Sequence, residues 1–346
     1  MHLAACRGRL DIIDLLVRKG CDLCVKNRKG KTPLHCAASS GKLNVVQYLL
    51  TKDDHFNVCA KDNSGNTALS LATAGGKLNV VKFLIEKKSA NFKTRNNLGT
   101  TPLHLAALGG ALFVVKYLVE ELNADFKAIN NVGNTPLHLA AQKGALNVVQ
   151  YLTEVKNVDF EVRNNSGDTA IHLAARKGSI HVVKFLIEDK KCDFEVPNNL
   201  GDSPLHLAAR KGSTDVVKYL IEEKNASLHA SNKAGDTPLS VAVSNGQLCV
   251  AKYLDASDTA PCGVKYNTNK KTSVVYFEPI KMQGTRKRVK NSVVVSKGIR
   301  KLVRDMTLSD TDASSASTRR DLSEKASGGV QQHKTLDKSS LRGWLE

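Results

Sequence analysis

The chain reads as an all-α solenoid: two-helix units stacked in a line, followed by a basic tail. Three observations lead there. The stretch Thr135-Pro136-Leu137-His138-Leu139-Ala140-Ala141 has near copies starting at Thr32, Thr67, Thr101, Thr169, Ser203 and Thr237, at intervals of 35, 34, 34, 34, 34 and 34 residues. A fixed period of this size marks stacked repeats. Each copy opens on Ser or Thr, mostly followed by Pro, and closes on a glycine: Gly41, Gly76, Gly110, Gly144, Gly178, Gly212 and Gly246. A second apolar run follows each glycine, and then an extended arm with a polar tip.

Each element has a physical reason. Thr135 accepts a hydrogen bond from an orphan N–H at a helix start. Pro136 sits at the first helical position, where a missing N–H costs nothing. Leu137, Leu139, Ala140 and Ala141 build a helix of small residues that lets neighbours approach. Gly144 ends it. Val148, Val149 and Leu152 share a face of the second helix. Val158-Asp159-Phe160 is the arm, and Asn164-Asn165-Ser166-Gly167 is a tight turn. One such unit cannot bury its own apolar face, so the core forms only by stacking.

The words Thr-Pro-Leu-His and Leu-Ala-Ala, repeated over residues 1 to about 254, closely resemble the ankyrin repeat. The resemblance implies helix-turn-helix plus a β-hairpin arm per unit. It also implies a concave surface lined by first helices and arm tips, and a scaffold that binds proteins without catalysis. Residues 1–31 form an incomplete first unit lacking the capping Thr-Pro. That start suggests either a late initiation in a longer gene product or a frayed unit. Residues 32–254 hold units two to eight, 255–304 a basic linker with a short strand at Thr272–Phe277, and 305–346 a disordered Ser/Thr/Asp-rich tail. Most units from the third onward carry one residue more than the usual ankyrin length, placed after the second helix. Asn123, Asn157 and Asn225 suit the left-handed conformation that ends a helix there.

The formal net charge is +18, and 41% of residues are hydrophobic. Residues 1–254 carry net +10 and residues 255–346 net +8. Such charge suits acidic peptides, nucleic acid or anionic lipid and selects none of them. No run of about 18 apolar residues reads as a transmembrane helix. The repeat register places Cys21 and Cys192 at a small core position, Cys36 in a leucine position, and Cys24 and Cys59 on the exposed side of the arm. The spacing Cys21-Asp-Leu-Cys24 is therefore read as accidental, with no metal and no cofactor expected, and a reducing compartment is the default. Gly-rich phosphate loops, His-Glu-x-x-His and Gly-x-Ser-x-Gly are missing from the sequence, so no enzymatic activity is expected.

Three sets of residues stand out. His35, His104, His138, His172 and His206 share one repeat position with His2. Equivalent points on packed helices lie about 8–10 Å apart, too far for neighbouring imidazoles to share a zinc ion at about 2 Å. The resemblance implies a structural role for them, bonding backbone between units. Lys143, Arg176, Lys177, Arg210 and Lys211 end the first helices of units five to seven, where other units have Ser39-Ser40, Ala74-Gly75, Leu108-Gly109 and Ser244-Asn245. They form either a positive stripe for a partner or an ordinary solvated face. Leu98, Val132, Ser166 and Leu200 vary at the arm tips, where a partner would be discriminated. Lys82, Lys116, Lys184 and Lys218 precede Glu86, Glu120, Glu188 and Glu222 by four, as helix-surface pairs. In the tail, Lys287, Arg288 and Lys290 resemble a nuclear import signal, and residues 264–304 also suit nucleic acid or anionic lipid.

These readings converge on an intracellular, cytoplasmic adaptor that grips an acidic segment of a protein partner. The alternatives are the ankyrin arm of a longer protein, such as a membrane-linked adaptor or latrotoxin-like toxin, and a nuclear regulator using the basic tail for import.

Overall fold

The computed structural model describes residues 1–52, 57–258, 264–267 and 274–277. Two compact units divide the chain: Met1–Gly298, which contains every described residue, and Ile299–Glu346. The first is a row of eight helix pairs. The first helices are α1 (His2–Arg7), α3 (Pro33–Ser39), α5 (Ala68–Ala74), α7 (Pro102–Gly109), α9 (Pro136–Lys143), α11 (Ala170–Lys177), α13 (Pro204–Lys211) and α15 (Pro238–Ser244). The second helices are α2 (Leu10–Arg18), α4 (Leu43–Lys52), α6 (Leu78–Glu86), α8 (Leu112–Lys116), α10 (Leu146–Gln150), α12 (Ile180–Glu188), α14 (Thr214–Lys218) and α16 (Leu248–Ser257). Each first helix packs on the first helices of the units before and after it, and each second helix does the same. The core is thus one continuous strip, as stacking requires. The arms contain turns and not strand ladders. Each tip is closed by a backbone bond such as Asn164 N–H to the Asp168 carbonyl, at 3.0 Å. The two strands among the described residues lie beyond the last unit. There β1 (Val264–Asn267) pairs antiparallel with β2 (Val274–Phe277), with Val264 opposite Phe277. Strand β2 falls inside the stretch read as a strand from sequence, whereas β1 carries no comparable signal.

Packing follows residue size. Ala140, Ala141, Val148, Val149 and Leu152 are fully buried, as are their counterparts in most units. Each buried Val or Leu contributes about 1.5–3 kcal/mol of transfer free energy. The small first-helix residues set the spacing. A Cβ on Gly109 would lie 2.3 Å from the Ala74 carbonyl oxygen, so α7 approaches α5 closely only because that residue is glycine.

The extra residue is absorbed at the end of the second helix. In the first unit the Leu16 carbonyl accepts from Cys21 N–H, five residues on, with Gly20 left-handed at φ 77°. In units three to seven the same carbonyl bonds a residue six on: Leu84 to Ala90, Leu118 to Ala124, Leu152 to Val158, Leu186 to Cys192 and Leu220 to Ala226. Three of these ends widen into a π-helical turn, Tyr117–Glu121, Tyr151–Val155 and Tyr219–Glu223. The residue before the closing bond is left-handed: Asn123, Asn157 and Asn225, and also Ser89 and Lys191. The insertion therefore stays within one turn and leaves the helix spacing alone.

Two expectations need correction. Cys192 is buried, but Cys21 is exposed. Cys192 lines a cavity of about 270 Å³ with Phe160 of the preceding arm, and no equivalent arm among the described residues covers Cys21. Leu3 and Leu15 are likewise exposed on the first unit. The lysines four before each glutamate do not pair within their helices. Instead Tyr117, Tyr151, Tyr219 and Tyr253 donate across the unit boundary to Glu86, Glu120, Glu188 and Glu222, at 2.7–2.9 Å. Lys82, Lys116, Lys184 and Lys218 lie over the same four rings at 4.7–5.7 Å. A tyrosine of one unit thus collects both charges of the unit before it. Desolvation, together with the glutamate bond, raises the phenol of Tyr117 to about 12.

The histidines couple neighbouring units. At Thr32, Thr101, Thr135, Thr169 and Ser203 the hydroxyl caps the helix while the histidine three residues on accepts the cap residue's N–H, closing a capping box. In the fifth unit Thr135 N–H donates to His138 Nδ1 at 3.2 Å. Because Nδ1 accepts, the proton is assigned to Nε2, which donates to the turn carbonyl ahead of the next unit. His104 reaches Asn134 at 3.0 Å, His138 reaches Asp168 at 3.1 Å, and His206 reaches Asp236 at 3.1 Å. His35 bonds the carbonyls of Ala60 and Asn66, and His2 bonds that of Lys31. His172 faces the Asp202 carbonyl without an aligned bond. Where serine replaces histidine, the contacts are short-range. Ser70 Oγ stays with Thr67, and Ser240 Oγ with Asp236 and Thr237.

Burial pushes His35, His104, His138, His172 and His206 below the ordinary imidazole value, His104 to about 4, with carbonyl bonds opposing the shift. A depressed folded value means the unfolded chain binds protons first on acidification. The stabilisation is therefore complete above about pH 6.5 and is lost on the way down toward the folded values, near 4 for His104. Each histidine contributes up to about 1.4 kcal/mol per pH unit in that window. Urea unfolding followed between pH 7.5 and 4.5 is expected to show a midpoint that is flat above pH 6.5 and falls steeply below it. A midpoint independent of pH would contradict neutral, buried imidazoles.

Candidate partner-binding surface

The polar turns set the arm tips. Asn164 Oδ1 accepts the N–H groups of Ser166 and Asp168, closing its own turn. Asn165 reaches back one unit and donates from Nδ2 to the Asn131 carbonyl at 3.1 Å. Asn97, Asn131 and Asn199 repeat that bond. The carbonyls of Leu98, Val132, Ser166 and Leu200 each accept an N–H from the following tip. Their backbones are therefore stapled in place while their side chains face solvent. Leu98 is 66% exposed, Val132 53% and Leu200 63%, and Ser166 is also exposed. A row of apolar side chains held out from fixed backbone is a usable contact surface.

The basic residues divide into two kinds. Arg176 lies 3.7 Å from the buried carboxylate of Asp168, and Arg210 lies 2.7 Å from that of Asp202. Each carboxylate also accepts from an asparagine of the next arm, Asn198 or Asn232, at 2.8 and 2.7 Å. The Asp202 Oδ2 contact is one of charge without aligned hydrogen-bond geometry. Both arginines are thus pinned between the end of their helix and the base of the adjoining tip, which joins the basic row to the tip row. Lys143, Lys177 and Lys211 are exposed, and no ion pair among the described residues involves them.

The sequence carries the signal for this division, though it is easily missed. Asp168 and Arg176 are eight apart, as are Asp202 and Arg210, while the neighbouring unit has Asn134 and Gln142 at those positions. Asp236 has Ser244 eight residues on and Lys31 has Ser39, so the acid-arginine pair is confined to the sixth and seventh units. Leu108, 38% exposed, and Phe113, 75% exposed, add apolar surface in the fourth unit. At the position of Phe113 the other units carry Asp11, Asn44, Asn79, Asn147, His181, Asp215 and Cys249. Lys287, Arg288 and Lys290 lie outside the described residues.

No group of three His, Cys, Asp or Glu among the described residues is placed to hold a metal ion. No helix among them is long and apolar enough to cross a membrane.

A family model of ankyrin repeats, three copies long, matches residues 1–96, 55–130, 88–164, 154–232 and 189–269 in overlapping registers. The chain belongs to the ankyrin repeat family. It is 40% identical over 52 residues to Notch-regulated ankyrin repeat-containing protein A of Danio rerio, a stretch that is 15% of this chain and 46% of that protein. The human Notch-regulated ankyrin repeat-containing protein matches to the same extent. A probable E3 ubiquitin-protein ligase of Oryza sativa, XBOS33, is 48% identical over 50 residues, 14% of this chain and 10% of that protein. The chain spans about half the length, or less, of the curated relatives it matches. Both rows lie on the first helices and the arm tips.

Removing one member of a pinned pair leaves the other buried and unmatched. Arg210→Ala is expected to cost about 1–3 kcal/mol, since Asp202 loses its counter-charge. The double variant Asp202→Asn with Arg210→Gln copies the Asn134 and Gln142 arrangement and should recover most of that loss. Chemical denaturation of the three proteins measures this. A double variant no more stable than Arg210→Ala would contradict the pairing.

Proposed function

We propose that the protein is a non-enzymatic adaptor whose first-helix side grips an acidic segment of a protein partner. The observation that carries the reading is the division of the basic row. Lys143, Lys177 and Lys211 extend into solvent without carboxylate partners, although acids are common elsewhere on the surface. Clustered like charge disfavours the free state and favours an anionic ligand. The lysines supply long-range steering. Leu98, Val132, Ser166 and Leu200 supply discrimination at the tips. His35, His104, His138 and His206 hold the units in register. Family membership supports a protein ligand, and the acidic character of that ligand rests on the charge row alone.

The test separates steering from folding by leaving Arg176 and Arg210 in place. Changing Lys143, Lys177 and Lys211 together to Glu is expected to slow association with a partner recovered by affinity purification by about tenfold or more, and to flatten its salt dependence. The thermal midpoint should stay within a few degrees of the parent. Unchanged association kinetics would place the binding face elsewhere.

A further inference from the structure

We infer that the bound segment lies along the row in a polyproline-II conformation, with acidic residues at every third position; this deepens the acidic-partner reading and rests on it. The argument is one of pitch. Basic residues occur once per unit, at Lys143, Arg176-Lys177 and Arg210-Lys211, on the adjacent helices α9, α11 and α13. Packed helices lie about 8–10 Å apart. A ligand that meets each unit in turn must present a carboxylate at that interval, on one side.

The three regular backbone forms give different answers. A β-strand shows one face every second residue, which is about 6.6 Å, or every fourth, about 13 Å. Neither fits. An α-helix returns to the same face after seven residues, about 10.5 Å along its axis, drifting about 20° each time. That overshoots the interval and walks off the row. A polyproline-II helix has three residues per turn and rises about 3.1 Å per residue, so every third side chain faces the same way at about 9.3 Å. It alone fits both distance and direction.

Long lysine side chains would blur such a register if they acted alone. The arginines sharpen it. Arg176 and Arg210 are tethered one unit apart by the buried carboxylates of Asp168 and Asp202. A guanidinium carries five N–H donors, more than one carboxylate oxygen can use, so both keep donors for a ligand. The row is bounded by Leu108-Gly109 on one side and Ser244-Asn245 on the other. The motif is therefore three acids long and no longer.

Synthetic peptides test the pitch with the full chain. Three peptides, each with three glutamates on a neutral background, place them at every second, every third or every seventh residue, and binding is read by fluorescence anisotropy. The every-third peptide is expected to bind about fivefold more tightly, the worth of one or two matched ion pairs. Lys177→Ala should erase most of that advantage without shifting the thermal midpoint. Equal affinity for the three peptides would overturn the inference and leave the acidic-partner reading standing. Preference for the second or seventh spacing would replace it with a strand or a helix. Failure of every acidic peptide to bind, at low salt, would overturn both.

Discussion

A neutral imidazole fixed between two units is the constraint on which the register of this stack depends. Nδ1 of His138 closes the capping box of its own helix, and Nε2 holds the carbonyl that precedes the next one. Both nitrogens are committed, and the ring is almost fully buried. A second proton would set two donors against each other at Nδ1, so burial and hydrogen bonding exclude the charged form together. One side chain thereby sets where a helix starts and where its neighbour sits. Repetition of that junction turns local capping into a line of units, because each unit touches only those beside it.

The same economy appears on the opposite side of each unit. A tyrosine takes a hydrogen bond partner and a lysine from the unit before it. Phe83 and Phe185 occupy that position without a hydroxyl, so the contact is reinforcing and not obligatory. The histidine junction is broken at Ser70, yet α5 and α7 still pack on one another there. Apolar burial sets the stack, and the polar junctions fix its register.

Much of this was legible in the sequence because each repeat restates the same solution. Thr135, Pro136 and Gly144 announce a helix start and end by local chemistry alone, and Val148, Val149 and Leu152 announce the buried face. The extra residue was legible as an insertion, and its asparagines as left-handed. The widened π turn was not, since it depends on which carbonyl the following N–H can reach. Cys192 is covered by Phe160 of the preceding arm, a contact that repeat position alone does not reveal for Cys21. The Lys and Glu spaced by four misled because a tyrosine in the next unit competes for both. At the candidate surface, the basic row could be read directly. Its division into pinned arginines and outward lysines required Asp168 and Asp202 to be seen in space. Phe113 stands out by its exposure and by the mostly polar residues at its place in other units.

The most direct test of this account is the protonation state of the five buried imidazoles, read from their ring nitrogen resonances by NMR at pH 7 and on acidification. The account predicts the Nε2–H tautomer for His35, His104, His138 and His206, unchanged as the pH falls through the ordinary imidazole value and lost only with unfolding. Rings that titrate near 6.5 in the folded protein, or carry their proton on Nδ1, would contradict it.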